Sequence, residues 1–261
     1  MKKHLMDMKV VENVRLHPEY CLLKLTSGSG DKLPEMIPGQ FVQVRVDDSP
    51  QTFLRRPISI NYVDREANEL WLLIRIIGEG TRRMSEYRPG DTINLMLPLG
   101  NGFSVPQLPP GSSLLLIGGG VGAAPMLFWG DMLKTLGFKP VFLLGARSKA
   151  DILQFAEFEK IGKTCITTED GSMGEKGFVT HHSILKEERF ERIYTCGPKP
   201  MMMAVAKYAK MSGISCEVSL ENRMACGIGA CLCCVEPTVK GNVCVCTEGP
   251  VFNINQLTWR I

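Results

Sequence analysis

The chain carries little net charge for its length. Its 30 lysines and arginines against 27 aspartates and glutamates give a formal net charge of +3 over 261 residues. No run of basic residues interleaved with aromatic residues occurs, so we expect no nucleic-acid partner. Near the N-terminus, Asp7 and Lys9 interrupt any apolar core of an export signal, so we expect no export.

A long hydrophobic run is also missing. The most apolar stretch, Leu114 to Gly130, contains five glycines and one proline, and it is shorter than the roughly 20 residues that a membrane-spanning helix needs. We therefore expect no membrane segment. No Ser–His–Asp set is recognisable, and the four histidines form no metal motif.

Cysteine, in contrast, is abundant, with ten residues in the chain. Without an export signal, this number is more typical of reduced thiols or metal ligands than of disulfides. The sequence therefore predicts a cytoplasmic protein. Apolar residues make up 44% of the chain and charged residues 22%, which is ordinary for a globular protein.

Residues 1–106 show short alternating apolar runs separated by turn signals such as Ser-Gly-Ser-Gly at 27–30. Strands at this spacing predict a small antiparallel β-barrel. The predicted strands are 21–25, 41–46, 58–62, 70–76 and 92–96.

The segment Val105 to Gly111 contains three prolines, and we place the boundary of the first domain within it. The pattern of apolar residues changes over residues 107–220. Strands and helices alternate here, which predicts an α/β domain with a doubly wound parallel sheet. The predicted strands are 114–117, 141–144, 165–168, 192–195 and 215–220, and the predicted helices are 125–136, 151–161 and 199–211.

Residues 221–261 are rich in glycine and cysteine and poor in large apolar residues. A segment of about forty such residues cannot bury enough core by itself. We therefore predict a small C-terminal domain that depends on a bound metal centre or on packing against the rest of the chain.

A glycine loop, Gly118-Gly-Gly-Val-Gly122-Ala-Ala-Pro125, joins the predicted strand 114–117 to the following helix. Glycines allow the backbone to approach a pyrophosphate, and the helix N-terminus offers it unpaired N–H groups. Cys196-Gly197-Pro198 forms a second strand-to-helix turn, which we expect on the same rim of the sheet. The alternative for the glycine loop is a tight strand-to-helix turn in a ligand-free α/β domain, and the alternative for Cys196 is a small buried cysteine.

Arg55 and Arg56 stand at the entrance of a predicted strand, where a guanidinium can bind a phosphate with two hydrogen bonds. Arg75 and the Gly80-Thr81 pair add a cation, a flexible loop and a hydroxyl. Each of these features alone is also common on a solvated surface.

The cysteines from Cys226 onward have informative spacing. Cys226-x4-Cys231-x2-Cys234 matches the first three ligands of a plant-type two-iron cluster, and Cys246 can supply the fourth thiolate. The alternative is a zinc site of four thiolates built from Cys231, Cys234, Cys244 and Cys246. Zinc leaves Cys226 unexplained, so we favour the iron–sulfur interpretation, with Cys233 and Cys244 as bystanders.

A barrel, a dinucleotide domain and a two-iron loop in this order resemble the ferredoxin–NAD(P) reductase superfamily. More closely, the chain resembles the electron transfer subunits of class 1B dihydroorotate dehydrogenases, and Glu221 to Cys234 is the most specific part of this resemblance. The superfamily's flavin motif corresponds here to Arg56-Pro57-Ile58-Ser59, with Ile58 in place of its tyrosine. The resemblance implies FAD contacts from these four residues, from Leu73-Ile74-Arg75 and from Gly80-Thr81.

The same resemblance implies that Gly120, Gly122 and Cys196 bind NAD. It further implies a partner, an FMN-containing catalytic subunit that oxidises dihydroorotate in pyrimidine biosynthesis, in a heterotetramer of two chains of each kind. Electrons would pass from that FMN through the [2Fe–2S] cluster and FAD to NAD, with no acid–base residue in this chain. Two alternatives are a reductase subunit of another complex, such as a sulfhydrogenase, and a zinc-stabilised nucleotide-sensing module.

Overall fold

The structure is a computed structural model that describes residues 2–261. The chain forms two compact units. The first comprises the chain up to Gly102 together with Asn222–Glu236 and Val243–Pro250, and the second comprises Phe103–Glu221, Pro237–Asn242 and Val251–Ile261. The segment after Glu221 is thus shared between the two units. The domain boundaries drawn from the sequence stay predictions.

The first unit is built on a seven-stranded antiparallel sheet in the order β4-β3-β7-β1-β2-β6-β5. Because β4 at one edge contacts β6 near the other edge, the sheet curls on itself. The elements are β1 His4–His17, β2 Tyr20–Ser27, β3 Phe41–Val44, β4 Arg56–Ser59, β5 Tyr62–Asp64, β6 Glu69–Arg75, α1 Glu79–Met84 and β7 Thr92–Leu99.

Two features of this sheet differ from the sequence prediction. The long strand β1, which pairs with both β2 and β7, was not predicted. The predicted strand 58–62 is wrong, since it is two strands at opposite edges of the sheet. The chain turns at Ile60 and Asn61, whose backbone N–H groups donate to Gln40 on one side and Trp71 on the other. Because only these two residues separate β4 from β5, the sequence looks like one continuous strand.

The second unit contains a seven-stranded sheet in the order β11-β10-β9-β8-β12-β13-β16, parallel except for β16. Trp129 and Tyr194 pack edge to face in its core, with ring centroids 5.3 Å apart. The elements before the cysteine-rich segment are β8 Ser113–Gly119, α2 Ala124–Thr135, β9 Lys139–Ala146, α3 Phe155–Ile161, β10 Lys163–Thr168, β11 Glu175–Lys176, α4 Ile184–Glu187, β12 Arg192–Cys196, α5 Lys199–Met211 and β13 Ser215–Ser219.

The predicted strands and helices of this region are confirmed, apart from one helix start. The helix predicted over 151–161 begins at Phe155, because Lys149–Asp151 form a 3₁₀ turn and Gln154 has a φ of 53°. Both predicted fold classes, the antiparallel barrel and the doubly wound parallel sheet, are confirmed.

The cysteine-rich segment continues with β14 Val235–Thr238, β15 Gly241–Cys244, the single turn α6 Val245–Glu248 and β16 Val251–Asn253. β16 pairs antiparallel with β13 at the edge of the parallel sheet, an element that the sequence analysis did not predict. Within residues 2–261, no helix has both the length and the apolar character required to cross a bilayer.

Candidate functional site

The Cys226–Cys234 loop directs backbone N–H groups at its own cysteine sulfurs. The N–H groups of Ile228 and Cys231 both donate to Cys226 Sγ, each at 3.4 Å. Gly227 and Gly229 adopt positive φ values of 72° and 84°, which cost glycine little and other residues more. The two glycines thereby allow the loop to wrap around a sulfur.

Cys234 and Cys246 extend this network to the turn α6. The N–H of Gly229 donates to Cys246 Sγ at 3.1 Å, and the N–H of Cys246 donates to Cys234 Sγ at 3.4 Å. Both thiols are buried, with 2% and 1% exposure. Cys231 lies on the exposed side of the loop. The sulfur atoms of three of the four predicted ligands therefore accept N–H···S hydrogen bonds, and the fourth ligand, Cys231, donates one of these bonds to Cys226.

The N–H groups around these cysteine sulfurs fit an iron–sulfur cluster. Thiolate ligands of such clusters accept hydrogen bonds from surrounding N–H groups, and those bonds help to set the reduction potential. Among residues 2–261, no three side chains of His, Cys, Asp or Glu are grouped so that they could hold one metal ion. The four cysteines named from the sequence stay the predicted cluster ligands.

The pKa values of Cys226 and Cys246 are shifted in opposite directions. Burial alone would raise the pKa of Cys226, but hydrogen bonds from the N–H groups of Ile228, Cys231 and Ala230 and from the Cys231 side chain together lower that pKa to about 6. Burial, followed by a hydrogen bond with Cys234, raises the pKa of Cys246 to about 12. Since metal ligands must be deprotonated, binding of iron would release a proton from Cys246.

Cys233 and Cys244 were predicted not to bind iron. Cys233 is exposed. Cys244 Sγ lies 4.0 Å from the carbonyl oxygen of Gly229, and Cys246 accepts from the N–H of the same residue. Because both thiols flank Gly229, the choice of Cys246 over Cys244 stays a prediction.

The cysteine-rich segment is attached to the end of β7 in the first unit. The side-chain amide of Asn101 donates to the carbonyl oxygens of Thr247 and Glu248, at 2.9 and 3.1 Å. The backbone N–H of Asn101 donates to Gly249 O at 2.6 Å. The predicted ligands Cys226, Cys231, Cys234 and Cys246 accordingly belong to the same compact unit as the barrel.

The two neighbouring arginines of the barrel have different surroundings. Arg55 donates to the backbone of Gln43 and Asn94 and to Asn94 Oδ1, with distances of 2.5 to 3.2 Å. This arginine therefore ties β3 to β7. Arg56 donates to Leu54 O at 2.7 Å and lies beside Gly80, where an added β-carbon would come within 3.0 Å of Arg56 Nε.

Gly80 therefore brings two predicted flavin segments together, Arg56 at the start of β4 and the α1 turn. The same β-carbon would lie 3.0 Å from Thr52 Cγ2, a neighbour that the sequence analysis missed. Thr81 Oγ1 accepts from the N–H groups of Ile77 and Gly78 at 3.0 and 3.1 Å. That hydroxyl shapes the turn, since it already has partners within it.

The other predicted flavin residues lie on strands. Pro57, Ile58 and Ser59 are half-buried on β4. On β6, Leu73 and Ile74 are buried in the core, whereas Arg75 is exposed and donates to Glu19 Oε2 at 3.1 Å. The accessible members of this set are therefore Arg75 and the side chains of β4.

The two predicted nicotinamide turns meet on one rim of the parallel sheet, as expected from the sequence. β8 and β12 are neighbouring strands, and a β-carbon on Gly122 would lie 2.5 Å from both Cys196 O and Gly197 Cα. Gly120 has a φ of 56°, at the start of a 3₁₀ turn that leads into α2. The close approach of the two turns requires glycine at position 122.

Cys196 is fully buried. Its thiol donates a hydrogen bond to Glu221 Oε1 at 3.8 Å. Burial and the neighbouring Glu221 carboxylate hold the pKa of Cys196 well above the ordinary value. The thiol therefore stays neutral. Glu221 was missed as a neighbour of this rim, since 25 residues separate it from Cys196 and no local motif links them.

Comparison with known proteins places this geometry in a family. Residues 221–258 match the iron–sulfur cluster binding domain of dihydroorotate dehydrogenase B, and residues 116–207 match the oxidoreductase NAD-binding domain. The chain is 40% identical over 255 residues to the electron transfer subunit of dihydroorotate dehydrogenase B (NAD(+)) from Listeria monocytogenes, covering 97% of this chain and 98% of the relative. The chain belongs to the family of dihydroorotate dehydrogenase B electron transfer subunits.

Another family member, from Fusobacterium nucleatum, is 39% identical over 255 residues, which cover 94% of this chain and 95% of the relative. Among solved structures, the NADH-dependent reduced ferredoxin-NADP oxidoreductase, studied for flavin-based electron bifurcation, superimposes with a TM-score of 0.85 and 28% identity. That match covers 97% of this chain and 90% of the other. This chain thus shares its architecture with that oxidoreductase.

Proposed function

We propose that this chain passes electrons between a catalytic partner subunit and NAD, through a [2Fe–2S] cluster and FAD. Cys226, Cys231, Cys234 and Cys246 hold the irons. The β4 residues Arg56 to Ser59, the β6 residues Leu73 to Arg75, and Gly80 and Thr81 bind FAD. With both cofactors bound, the chain would convert single electrons into the hydride that reduces NAD⁺.

The observation that carries this proposal is the attachment of the cysteine-rich segment to the barrel. Asn101, at the end of β7, holds the carbonyl groups of Thr247 and Glu248, next to Cys246 in the chain. The proposed cluster ligands and flavin residues therefore belong to one compact unit. This arrangement supports electron transfer from the cluster to the flavin within that unit.

Each residue set has a distinct task. The Arg56 guanidinium offers planar donors to a phosphate of FAD, and Gly80 leaves room beside it. On the parallel sheet, Gly120 and Gly122 let the backbone approach the NAD pyrophosphate at the N-terminal end of α2. Cys196 supplies a neutral, polarisable side chain at the neighbouring turn. No group in this set has to act as an acid or a base on dihydroorotate.

As an electron transfer subunit the chain has a catalytic partner. We propose that the partner carries FMN, oxidises dihydroorotate to orotate, and assembles with this chain as two copies of each. The ten cysteines, none of which forms a disulfide in the described residues, support a cytoplasmic location.

Purification of the chain alone and with such a partner tests the proposal. We expect the isolated chain to show flavin bands and a reducible iron–sulfur absorption, and to reduce artificial acceptors with NADH. Dihydroorotate-dependent NAD⁺ reduction should require both chains. A colourless zinc-containing protein would contradict the cofactors, and dihydroorotate oxidation by the isolated chain would contradict the division of tasks.

The likeness to the NADH-dependent reduced ferredoxin-NADP oxidoreductase supports a second candidate, a reductase subunit of another complex. The same preparation separates the two. Reduction of NADP⁺ by reduced ferredoxin, without stimulation by dihydroorotate and the FMN partner, would favour the second candidate.

A further inference from the structure

Gln43 on β3 is a glutamine in the interior of the barrel unit. Its side chain is completely buried. Within residues 2–261, neither Oε1 nor Nε2 of this amide has a hydrogen-bond partner. A buried polar group in this state is destabilising unless a partner satisfies it, so the amide points to a ligand or an enclosed water.

The amide lies directly beneath the cysteine loop. A β-carbon added at Gly227 would lie 2.8 Å from Gln43 Cγ, 3.0 Å from Gln43 Nε2 and 3.2 Å from Leu99 Cδ1. Gly227 follows Cys226 in the chain, and Cys226 Sγ already accepts from Ile228 and Cys231. Gln43 and Leu99 therefore lie against Gly227, the residue that follows the proposed ligand Cys226, one with a polar group and one without.

Gln43 also adjoins the proposed flavin strand. Its backbone lies opposite Pro57 of β4, and its carbonyl oxygen accepts from Arg55 Nη1 at 3.2 Å. These contacts fix the backbone of β3, and the complete burial of the side chain restricts the positions that the amide can adopt. A donor fixed in this way needs little reorganisation when a negatively charged acceptor is bound next to it.

We propose that Gln43 Nε2 donates a hydrogen bond to a sulfur atom of the cluster at the Cys226 end of the loop, and that this bond raises the cluster's reduction potential. The reduced cluster carries one more negative charge than the oxidised one, so a fixed donor stabilises the reduced form more. Gln43 is thus a positioning and tuning residue. The inference rests on the proposed cluster ligands.

Two variants of the full chain test it. Gln43→Leu removes the amide at similar size, and Gln43→Glu keeps the shape while replacing the N–H donor by an acceptor. The control is Thr167→Val, which removes a different buried polar group without a hydrogen-bond partner, the hydroxyl of Thr167 on β10 of the other unit. Iron, sulfide and FAD contents are measured for each protein, and the cluster midpoint potential is measured by redox titration followed by electron paramagnetic resonance.

At the wild-type midpoint potential, we expect the ratio of reduced to oxidised cluster to fall about tenfold in Gln43→Leu, equivalent to about 59 mV for one electron. The fall should be larger in Gln43→Glu and absent in Thr167→Val. An unchanged midpoint in iron-replete Gln43→Leu and Gln43→Glu would overturn the proposal, as would an equal shift in the control.

If neither variant retains iron, the wild-type chain decides the matter. After labelling of glutamine side-chain amides with ¹⁵N, pulsed paramagnetic resonance of the reduced cluster should show a ¹⁵N coupling. A spectrum without that coupling overturns the proposal. A wild-type chain that holds no cluster would instead overturn the proposed function, and with it this inference.

Discussion

The side-chain amide of Asn101 donates to the carbonyl oxygen of Thr247 at 2.9 Å and to that of Glu248 at 3.1 Å. The two bonds join the end of β7 to the turn that follows Cys246, across 146 residues of sequence. A single side chain in the barrel unit thus helps to position the segment that carries a proposed iron ligand.

Substitution of Asn101 should therefore loosen the cysteine-rich segment. We expect Asn101→Ala to lower the free energy of unfolding by about 1 kcal/mol and to reduce the iron content of the purified chain, while FAD content is unchanged. Asn255→Ala, at an exposed asparagine of the other unit, is the control and should change neither quantity. Equal iron content in the two variants would contradict this role for Asn101.

The ligand assignment can be tested with two matched pairs of cysteines. Cys231→Ser and Cys246→Ser should lose most of the cluster absorption, because serine does not replace the thiolate ligand well. Their neighbours Cys233→Ser and Cys244→Ser should retain it. Visible absorption and iron per chain give the result. Loss of the cluster in Cys244→Ser with retention in Cys246→Ser would reverse the assignment of the fourth ligand.

Arg56 and Arg82 make a matched pair for flavin binding. We expect Arg56→Ala to weaken FAD binding about 10- to 100-fold, because a hydrogen bond to a charged phosphate contributes about 1.5–3 kcal/mol. Arg82→Ala, at an exposed arginine of α1, should leave FAD affinity unchanged. Fluorescence titration of the flavin-depleted chain measures both affinities. Arg56→Ala with wild-type affinity would remove Arg56 from the flavin site.

Gly122 has no room for a side chain against the Cys196-Gly197 turn. Gly122→Ala should push the two turns apart at a cost of about 1–3 kcal/mol, and NADH affinity should fall about 10- to 100-fold. Flavin and cluster spectra should be unaffected, since their proposed ligands belong to the other unit.

Gly213→Ala serves as the control for Gly122→Ala. Gly213 has a φ of +67° with open space around it, so alanine there strains the backbone of the same unit without crowding the rim. We expect lower stability but normal NADH affinity. If both variants lost NADH affinity equally, the effect would be one of stability and not of the rim.

Asp151 bears on the choice between NAD and NADP. Arg147 lies just after β9, and its guanidinium contacts the buried Asp151 carboxylate at 3.3 Å, while Ser148 donates to the same carboxylate at 3.1 Å. Asp151→Asn removes the negative charge beside Arg147, which makes this end of β9 more favourable to a 2′-phosphate. We expect the NADPH-to-NADH ratio of kcat/KM to rise about tenfold, or 1.4 kcal/mol. An unchanged ratio would exclude Asp151 as a determinant.

The predictable part of the fold consists of features encoded in adjacent residues. The glycine spacing before α2 and the Cys-Gly-Pro turn after β12 predicted a shared rim, because neighbouring parallel strands end at the same edge of a sheet. Short alternating apolar runs predicted the barrel. The corner at Ile60 was not predictable, since its two halves differ only in which distant strand they pair with.

The sequence by itself determined the chemistry that this chain can support: thiols at the spacing of a two-iron cluster, glycines at a strand-to-helix turn and arginines at a strand entrance. Only the tertiary structure decided which of these groups is available. The Arg55 guanidinium is hydrogen-bonded to Asn94, whereas Arg56 lies beside Gly80. The side-chain amide of Gln43 is buried against Gly227 and has no hydrogen-bond partner among residues 2–261. The reason is physical. Local motifs depend on neighbours in the chain, whereas burial and hydrogen-bond partners depend on strand pairing over tens to hundreds of residues.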